Sequence, residues 1–384
     1  MPMWPRAAVA LFGRRAIPNH FDQTMGRVEN LVRISSRLAD RSSGRAGSGP
    51  RCTAGSAPLV PTYAGAVAKR KKRSSSLAPP PSPPVTAGLV SPMRTVPAGI
   101  IRPDYALSGI PSSRQARAIR TDDEIAAMRI AGRVAADALI EVGRHVQPGI
   151  TTDELDRIGH DAMVSAGSYP STLNYRGYPK SLCTSVNEIV CHGIPDSRRL
   201  VDGDIVNVDV TAFIEGVHGD TSATFLVGDV DPTSVALVAH TRDAMHAGIA
   251  VVRPGARISD IGKAIEASVG PYGHSIVREF IGHGIGEQFH TSLQIPHYYD
   301  PRNDTVLLAG MTFTIEPMVN VGAAGVVMWD DDWTVSTADL QRTAQFEHTI
   351  LVTDDGHELL TVTEDGTAAE VLFAVEPVQA DARS

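Results

Sequence analysis

The chain has 384 residues, 42% of them hydrophobic, and a formal net charge of −8 at pH 7, which suffices for one large folded domain or two smaller ones. Its three cysteines are too few for a disulfide framework, which favours a reducing compartment, and no apolar run reaches the roughly 18 residues of a transmembrane helix. Residues 1–120 carry 19 Lys and Arg against 4 Asp and Glu, whereas the remainder carries 16 against 39. This balance favours an acidic, cation-binding body with a basic tail that is either merely solvated or directed at an anionic surface.

Residues 1–90 predict a disordered extension rich in Arg, Ser, Pro and Gly. It contains the like-charge block KRKKR at 69–73 and the run LAPPPSPPV at 77–85, which is typical of polyproline II. These motifs raise the hypotheses of ribosome association and of recognition by an SH3-like domain. The first residues make a poor secretory signal, so a cytoplasmic location is expected. Two alternatives stay open: an organelle transit peptide, which the scarcity of acids resembles, and a misassigned start codon.

Residues 91–120 predict an extended, proline-containing arm that lies on the body. The folded domain is predicted from 121 to 361, and residues 362–384 are interpreted as a C-terminal tail. The domain begins with a capping box formed by Thr121 and Glu124, and apolar residues then recur at helical spacing.

A repeated order of elements follows. After a QPG turn, Thr151 and Glu154 cap a second helix, and short strands are predicted around SLCTSVNEIVCHG and DIVNVDVTAF. The order then recurs as a helix ending in RPG, the helix ISDIGKAIEASVG, and strands in HSIVREFIGHG and MTFTIEPMV. Pro254 follows Pro148 by 106 positions, and an acidic residue recurs in the strands at an offset of 107. A duplication about a pseudo-two-fold axis, with metals between the halves, explains this pattern.

Five side chains in the C-terminal half predict one dinuclear metal site. Three lie in apolar runs that predict strands (VNVDV, MTFTIEPMV and AQFEHTILV), one in the Gly-flanked turn VHGDTSATF, and one in FIGHGIGEQFH. Four carboxylates in one place would raise each other's pKa, and two divalent cations roughly 3.5–4 Å apart remove that repulsion. This ligand set suits Mn, Fe, Co or Zn. The candidates are Asp209, Asp220, His283, Glu316 and Glu347.

Local patterns support the set, although each residue alone has an ordinary structural explanation. Alternation places Asp209 on the strand face opposite Val208, where a carboxylate in so apolar a run needs a partner. Asp220 lies eleven positions on, beyond the turn EGVHGD, which suits a hairpin that returns the second carboxylate beside the first. Glycines around His283 allow close approach of the backbone to a site.

Six segments resemble methionine aminopeptidases of type I. The resemblance runs from about residue 91 to about residue 360, with no ligand missing. It implies the pita-bread fold of that family, an α+β duplication whose central antiparallel sheets are flanked by helices. It also implies removal of the N-terminal methionine from nascent polypeptides when the second residue is small. The segments are CHGIPD (191–196), DGDIVNVDV (202–210), GVHGDTSATF (216–225), GHGIG (282–286), MTFTIEPM (311–318) and QFEHT (345–349).

The resemblance assigns roles to several residues. Asp220 and Glu347 would bridge the two ions, and the other three candidates would each bind one. A water between the ions would attack the peptide carbonyl. Glu316 would take its proton and help to pass it to the leaving amine. His192 and His290 would hydrogen-bond the scissile peptide and its tetrahedral intermediate. A monomer without membrane association is expected.

The resemblance also implies an apolar pocket for the methionine side chain, whose flexible, polarisable thioether suits aromatic walls and a sulfur neighbour. The first of its residues stands where some relatives carry Cys, and any one of the six could be ordinary core. The pocket residues are Thr172, Tyr175, Tyr178, Cys183, Phe289 and Trp333.

Two other functions share this fold. A Xaa-Pro aminopeptidase or prolidase usually carries a large extra N-terminal domain, which the composition of residues 1–90 does not suit. The signatures CHGIPD and YPKS also favour the methionine enzyme. A non-catalytic binding protein on the same scaffold would have lost metal ligands, whereas all five stand here.

Overall fold

The computed structural model describes residues 82–114 and 116–376. The block KRKKR, most of LAPPPSPPV and the last eight residues lie outside the described part, so the disorder predicted for 1–81 stays a prediction. Within the described part, no helix is both long enough and apolar enough to cross a membrane.

Two pairs of long helices form the scaffold. Thr121 and Thr151 begin the first two with the predicted capping boxes, in which Glu124 and Glu154 reach back to the cap backbone. A short helix closes the chain. The helices are α1 (Asp122–Gly143), α2 (Thr152–Ser165), α3 (Pro232–Ile249), α4 (Ile258–Val269) and α5 (Ala369–Leu372).

The strands between them pair antiparallel wherever pairing is described. The strands are β1 (Tyr169–Pro170), β2 (Cys183–Val186), β3 (Ile189–Cys191), β4 (Ile205–Ile214), β5 (Val217–Leu226), β6 (Ser275–Ile276), β7 (Gly282–His283), β8 (Gln294–Ile295), β9 (Thr312–Ile315), β10 (Met318–Asn320), β11 (Val326–Met328), β12 (Val335–Thr337), β13 (Thr343–Gln345), β14 (His348–Val352) and β15 (His357–Leu359). They form sheets with the strand orders β1-β4-β2 (with β5 paired to β4), β13-β10-β6, β11-β12-β3, β15-β14-β9 and β7-β8.

The internal repeat appears in the backbone hydrogen bonds at the two PG turns. Gly149 N donates to Leu200 O at 2.7 Å, and Gly255 N donates to Leu307 O at 2.9 Å. Both glycines have positive φ, 95° and 84°. Leu200 and Leu307 each donate back, at 2.8 Å, to the residue after the turn glycine. The offsets of 106 and 107 predicted from the sequence therefore correspond to equivalent contacts.

Strand assignment at three of the candidate ligands differs from the prediction. Asp220 lies inside β5 rather than in a turn, because the hairpin reverses earlier, at Glu215 and Gly216, which have φ of 53° and 80°. Glu316 and Glu347 lie just outside strands, since β9 ends one residue before Glu316 and β14 begins one residue after Glu347. Two of the four candidate carboxylates, Asp209 and Asp220, therefore lie inside a strand ladder, and the other two lie next to a strand end.

The main core lies between the sheets and the helix pairs. Val206, Val208 and Val210 belong to it and are buried, as alternation along β4 predicted. A smaller cluster joins the arm to the body through Val96, which packs with Tyr169 and its neighbours.

The arm predicted for residues 91–120 is present, mostly without regular structure in its described residues 91–114 and 116–120. Arg94 anchors it by ion pairs to Asp156 (2.7 Å) and Asp153 (3.2 Å) on α2. The arm also begins earlier than the predicted boundary at 90, because Val85 and Gly88 donate backbone hydrogen bonds to carboxylates of the body. Buried charged partners hold a segment whose composition alone predicts disorder.

The C-terminal boundary at 361 also falls too early. Helix α5 lies beyond it, and the rings of Phe373 and Phe225 pack edge to face with centroids 5.1 Å apart. Residues up to at least Phe373 therefore belong to the folded body.

Candidate metal centre and substrate pocket

The β4–β5 hairpin supplies two of the five candidate ligands. Its ladder pairs Asp209 with Ser222 and Thr211 with Asp220, so both aspartates project from the same face of the hairpin. Thr211 Oγ1 donates to Asp220 Oδ1 at 2.6 Å and fixes the orientation of that carboxylate. The predicted return of the second carboxylate beside the first is correct.

The other three candidates come from short, connected strands. His283 N donates to Thr314 Oγ1 at 3.0 Å, and that hydroxyl donates to Glu316 Oε1 at 2.7 Å. Glu347 is held against the hairpin, since its N donates to Ser222 O at 3.0 Å. One threonine thus orients two candidates, and the hairpin holds the third.

The side chains of the candidates converge on one point. His283 Nε2 lies 3.6 Å from Asp220 Oδ2 and 3.6 Å from Glu316 Oε1. Ligand atoms of Asp220, His283 and Glu347 all lie within 4.8 Å of one another. Ligand atoms that each lie about 2.0–2.2 Å from one shared ion are separated from each other by distances of this order. Asp209 Oδ1 is buried without a hydrogen-bond partner among the described residues, as expected of an atom that binds a cation.

Electrostatics also fit a cation site. Burial, followed by the charges of Asp220 and Glu316, raises the pKa of Asp209 and of Glu347 well above the usual range. Burial raises the pKa of Glu316 to about 7. Burial opposes protonation of His283, but the adjacent carboxylates outweigh it and its pKa is raised. Divalent cations would replace the protons that these groups otherwise retain.

Several supporting side chains escaped the sequence analysis. His297 is fully buried and its Nε2 accepts the Glu316 backbone N–H at 3.0 Å, while Gln345 Nε2 approaches Glu316 Oε2 at 3.2 Å. Only Thr211 and Thr314 could have been recognised as supports from the sequence. Each stands two positions from an acidic candidate, a spacing that puts side chains on one face of an extended segment.

The two candidate catalytic histidines lie beside this cluster. The His290 and His283 rings have centroids 4.0 Å apart, and His290 Nδ1 lies 3.1 Å from the Tyr175 hydroxyl. His192 has φ of 56°, and its ring packs against Trp333. Burial lowers the pKa of His192 to about 4, so it is neutral near pH 7.

The structure brings the aromatic pocket candidates together. Tyr175 lies 4.9 Å from Phe289 and Tyr178 lies 5.0 Å from Trp333, as ring centroids. Cys183 pairs with Asp209 across β2 and β4. Thr172 is buried, but its hydroxyl donates to Lys180 O at 3.1 Å, so it braces the adjacent loop.

An unpredicted aromatic residue from the arm completes this cluster. Tyr105 is 2% exposed, packs edge to face on Tyr175 at 4.9 Å, and donates to Ser171 O at 2.6 Å. Nothing in its sequence context marks it, because its neighbours are Pro- and Gly-punctuated.

Comparison with known proteins gives consistent results. Residues 126–354 match the metallopeptidase family M24. The chain is 53% identical to methionine aminopeptidase 2 of Mycobacterium tuberculosis over 279 residues, 72% of this chain and 97% of that one. Methionine aminopeptidase from Rickettsia prowazekii superposes with TM-score 0.62 at 46% identity, covering 64% of this chain and 99% of that one. Prolidase from Pyrococcus furiosus, 21% identical, covers 65% and 66% at TM-score 0.51 and shows the shared pita-bread fold alone.

Proposed function

This chain belongs to metallopeptidase family M24 and groups with its methionine aminopeptidases, and we propose on that basis that it removes the N-terminal methionine from polypeptides by metal-dependent hydrolysis. The observation that carries the proposal is the convergence of Asp220, His283 and Glu347 on one point beside Asp209 and Glu316. Identity favours this function over the Xaa-Pro class, because methionine aminopeptidase from Rickettsia prowazekii is 46% identical to this chain, whereas X-Pro aminopeptidase from Thermotoga maritima is 17% identical.

All five candidates would hold the metal. Two divalent ions there, Mn, Fe, Co or Zn, would supply a water of lowered pKa and polarise the substrate carbonyl. Asp220, His283 and Glu347 would hold the metal together, because their ligand atoms all lie within 4.8 Å of one another.

Glu316 would act as the proton-transfer group. Burial raises the pKa of this carboxyl in the metal-free protein, which favours the protonated form that a proton acceptor must reach. Thr314 donates to its Oε1 at 2.7 Å and Gln345 donates to its Oε2 at 3.2 Å, so both oxygens are held in place for proton transfer.

The histidines would orient the peptide. His192, neutral near pH 7, has one N–H with which to donate to the scissile carbonyl or its tetrahedral successor. His290 Nδ1 contacts the Tyr175 hydroxyl, so Nε2 is the nitrogen that would contact the peptide. The aromatic cluster beside it would take the methionine side chain, and a tight wall would require a small second residue.

The direct test is methionine release from a Met-Gly-Met-Met peptide. Apoprotein should be inactive, and one or more of Mn, Fe, Co and Zn should restore release that Asp220→Ala abolishes. Cleavage of an Ala-Pro peptide without methionine release would assign the chain to the Xaa-Pro class. Absence of both reactions in a folded, metal-loaded protein would leave the non-catalytic reading.

Other expectations stay predictions. A cytoplasmic location, a monomeric state and ribosome association through residues 69–73 depend on parts of the chain that the structure does not describe or on properties it does not test. Co-sedimentation of full-length protein and of a truncation lacking residues 1–81 with ribosomes would test the last of these.

A further inference from the structure

The C-terminal segment 361–373 lies beyond the family match and carries a buried carboxylate. Glu370, on α5, is 5% exposed. Its Oε1 accepts a hydrogen bond from His348 Nε2 at 2.9 Å. His348 is also buried, at 1% exposure, and directly follows the candidate ligand Glu347.

That hydrogen bond sets the direction of a longer chain. In the tautomer of His348 that donates from Nε2 to Glu370, Nδ1 is the acceptor, and Thr361 Oγ1 donates to it at 2.7 Å. Thr361 Oγ1 in turn accepts the backbone N–H of Thr349 at 3.2 Å. Each hydrogen bond from Glu370 to Thr349 therefore has one donor and one acceptor.

The chain ends at the metal centre. Thr349 Oγ1 accepts the Asp220 N–H at 3.0 Å and donates to Asp220 O at 2.8 Å. On the other side, Thr221 Oγ1 donates to Glu347 O at 2.8 Å. The network whose outer end is Glu370 thus holds the backbone of Asp220, and it reaches Glu347 through the adjacent residue His348.

We propose that Glu370 is a positioning residue of the metal centre, and that it acts through His348, Thr361 and Thr349 on Asp220 and Glu347. The inference rests on the proposed metal-dependent function. Metal ligands commonly depend on hydrogen-bonded carboxylates and hydroxyls behind them, and losing such a partner weakens metal binding by about 10–100-fold.

The proposal can be separated from a purely structural role for α5. The contact between Phe373 and Phe225 seats this segment independently of Glu370. Glu370→Gln keeps the size of the side chain but removes the charge that fixes the His348 tautomer. Glu376→Gln makes the same change just beyond this segment, at a carboxylate that is 80% exposed, and serves as the matched control.

The experiment is titration of the apoprotein with Co²⁺, followed by visible absorption and calorimetry, with thermal unfolding of each apoprotein measured in parallel. Glu370→Gln should bind Co²⁺ about tenfold more weakly and alter the absorption of the bound ion, while Glu376→Gln matches wild type. Co²⁺ affinity and spectrum equal to wild type in Glu370→Gln would overturn the proposal, whatever happens to its unfolding temperature.

Thr361 gives an independent test if Glu370→Gln does not fold. Thr361→Val removes the central hydroxyl and should weaken Co²⁺ binding by a similar factor, whereas Thr361→Ser keeps the hydroxyl and should bind as wild type. Equal binding by the two variants would overturn the proposal. A wild-type protein that binds no Co²⁺ would instead contradict the proposed function itself.

Discussion

In the first repeat, Asp209 and Asp220 sit inside two ten-residue strands that pair along their whole length. In the second half, His283, Glu316 and Glu347 lie at or beside strands of only two to five residues. The PG turns of the two repeats are nevertheless equivalent in their hydrogen bonds. The long ladder fixes most of the backbone around the two aspartates, whereas the short strands leave more of the positioning to side chains that are distant in the sequence.

That support is visible behind each second-half ligand. Arg120, at 5% exposure, donates from Nε to Thr312 Oγ1 at 3.0 Å and from Nη2 to Ile285 O at 3.1 Å. These contacts join β9 to the loop that carries His283. His297 supports the backbone of Glu316, and His348 follows Glu347. We therefore expect substitutions in the first repeat to impair the site by removing a candidate ligand. In the second half, we expect substitution of a supporting residue such as Arg120 also to weaken metal binding.

The largest effect is expected from Asp209→Asn. Activity should fall by more than about a hundredfold, since this change removes a ligand and not only its support. The unfolding free energy of the apoprotein should hold steady or rise, because burial and the neighbouring carboxylates disfavour the charged form of Asp209. Activity and denaturant unfolding of apoprotein would be measured beside Asp161→Asn on the exposed face of α2. A loss of apoprotein stability would show that Asp209 is structural.

Arg120→Met should reduce the unfolding free energy by about 2–3 kcal/mol through lost hydrogen bonds from a charged donor. Metal affinity should also fall by about tenfold, because the His283 loop loses its tie to β9. Arg129→Met, which breaks a surface pair with Glu358 at 2.7 Å, is the control and should change stability by no more than about 1 kcal/mol. Unchanged metal affinity in Arg120→Met would break the comparison between the halves.

Acid should loosen the arm from the first repeat. Burial lowers the pKa of His160, which contacts Thr95 O at 3.2 Å and Ser181 Oγ at 2.7 Å. The unfolded chain binds the proton more readily, so stability is lost as pH falls below about 6.5, with a limiting slope of about 1.4 kcal/mol per pH unit. Unfolding measured from pH 5 to 8 should show a shallower slope for His160→Asn than for wild type. Equal slopes would contradict the assignment.

The smallest effect tests the equivalence of the repeats. Gly149→Ala and Gly255→Ala should each reduce stability by about 1–2 kcal/mol, because both positions have positive φ while an added Cβ meets no atom within 4 Å. The two losses of unfolding free energy should agree to within about 0.5 kcal/mol, the accuracy to which effects at separate sites are usually additive. Gly99→Ala, equally uncrowded but without positive φ, is the control. Clearly unequal losses would mean that the turns differ energetically.

The sequence predicted the parts of this molecule that local physics controls. The capping boxes at Thr121 and Thr151 and the buried valines of β4 follow from local hydrogen bonding and alternation, so they were correct. Three candidate ligands could be named because they are carboxylates in apolar runs, where an unpaired charge is costly. Asp220 and His283 were named from their glycine-flanked motifs. Strand boundaries near Asp220, Glu316 and Glu347 were wrong, since the β4–β5 hairpin reverses before Asp220 and the other two acids lie just past the end or just before the start of a short strand.

The supports of the site could not be predicted in the same way. Tyr105, Arg120 and Glu370 lie far along the chain from the residues they serve, in segments whose composition resembles an arm or a tail. Likewise, residues 82–90 were assigned to a disordered region, but carboxylates of the body hold them.

The sequence by itself determined the candidate ligands, the duplicated order of elements and the chemical class of the protein, because these depend on residue type and spacing. Only the tertiary structure decided which distant side chains fix the ligands and where the folded body begins and ends. Those contacts join residues separated by up to about half the chain, as Arg120 and Thr312 are. Their existence depends on the closure of the whole fold, which no local pattern records.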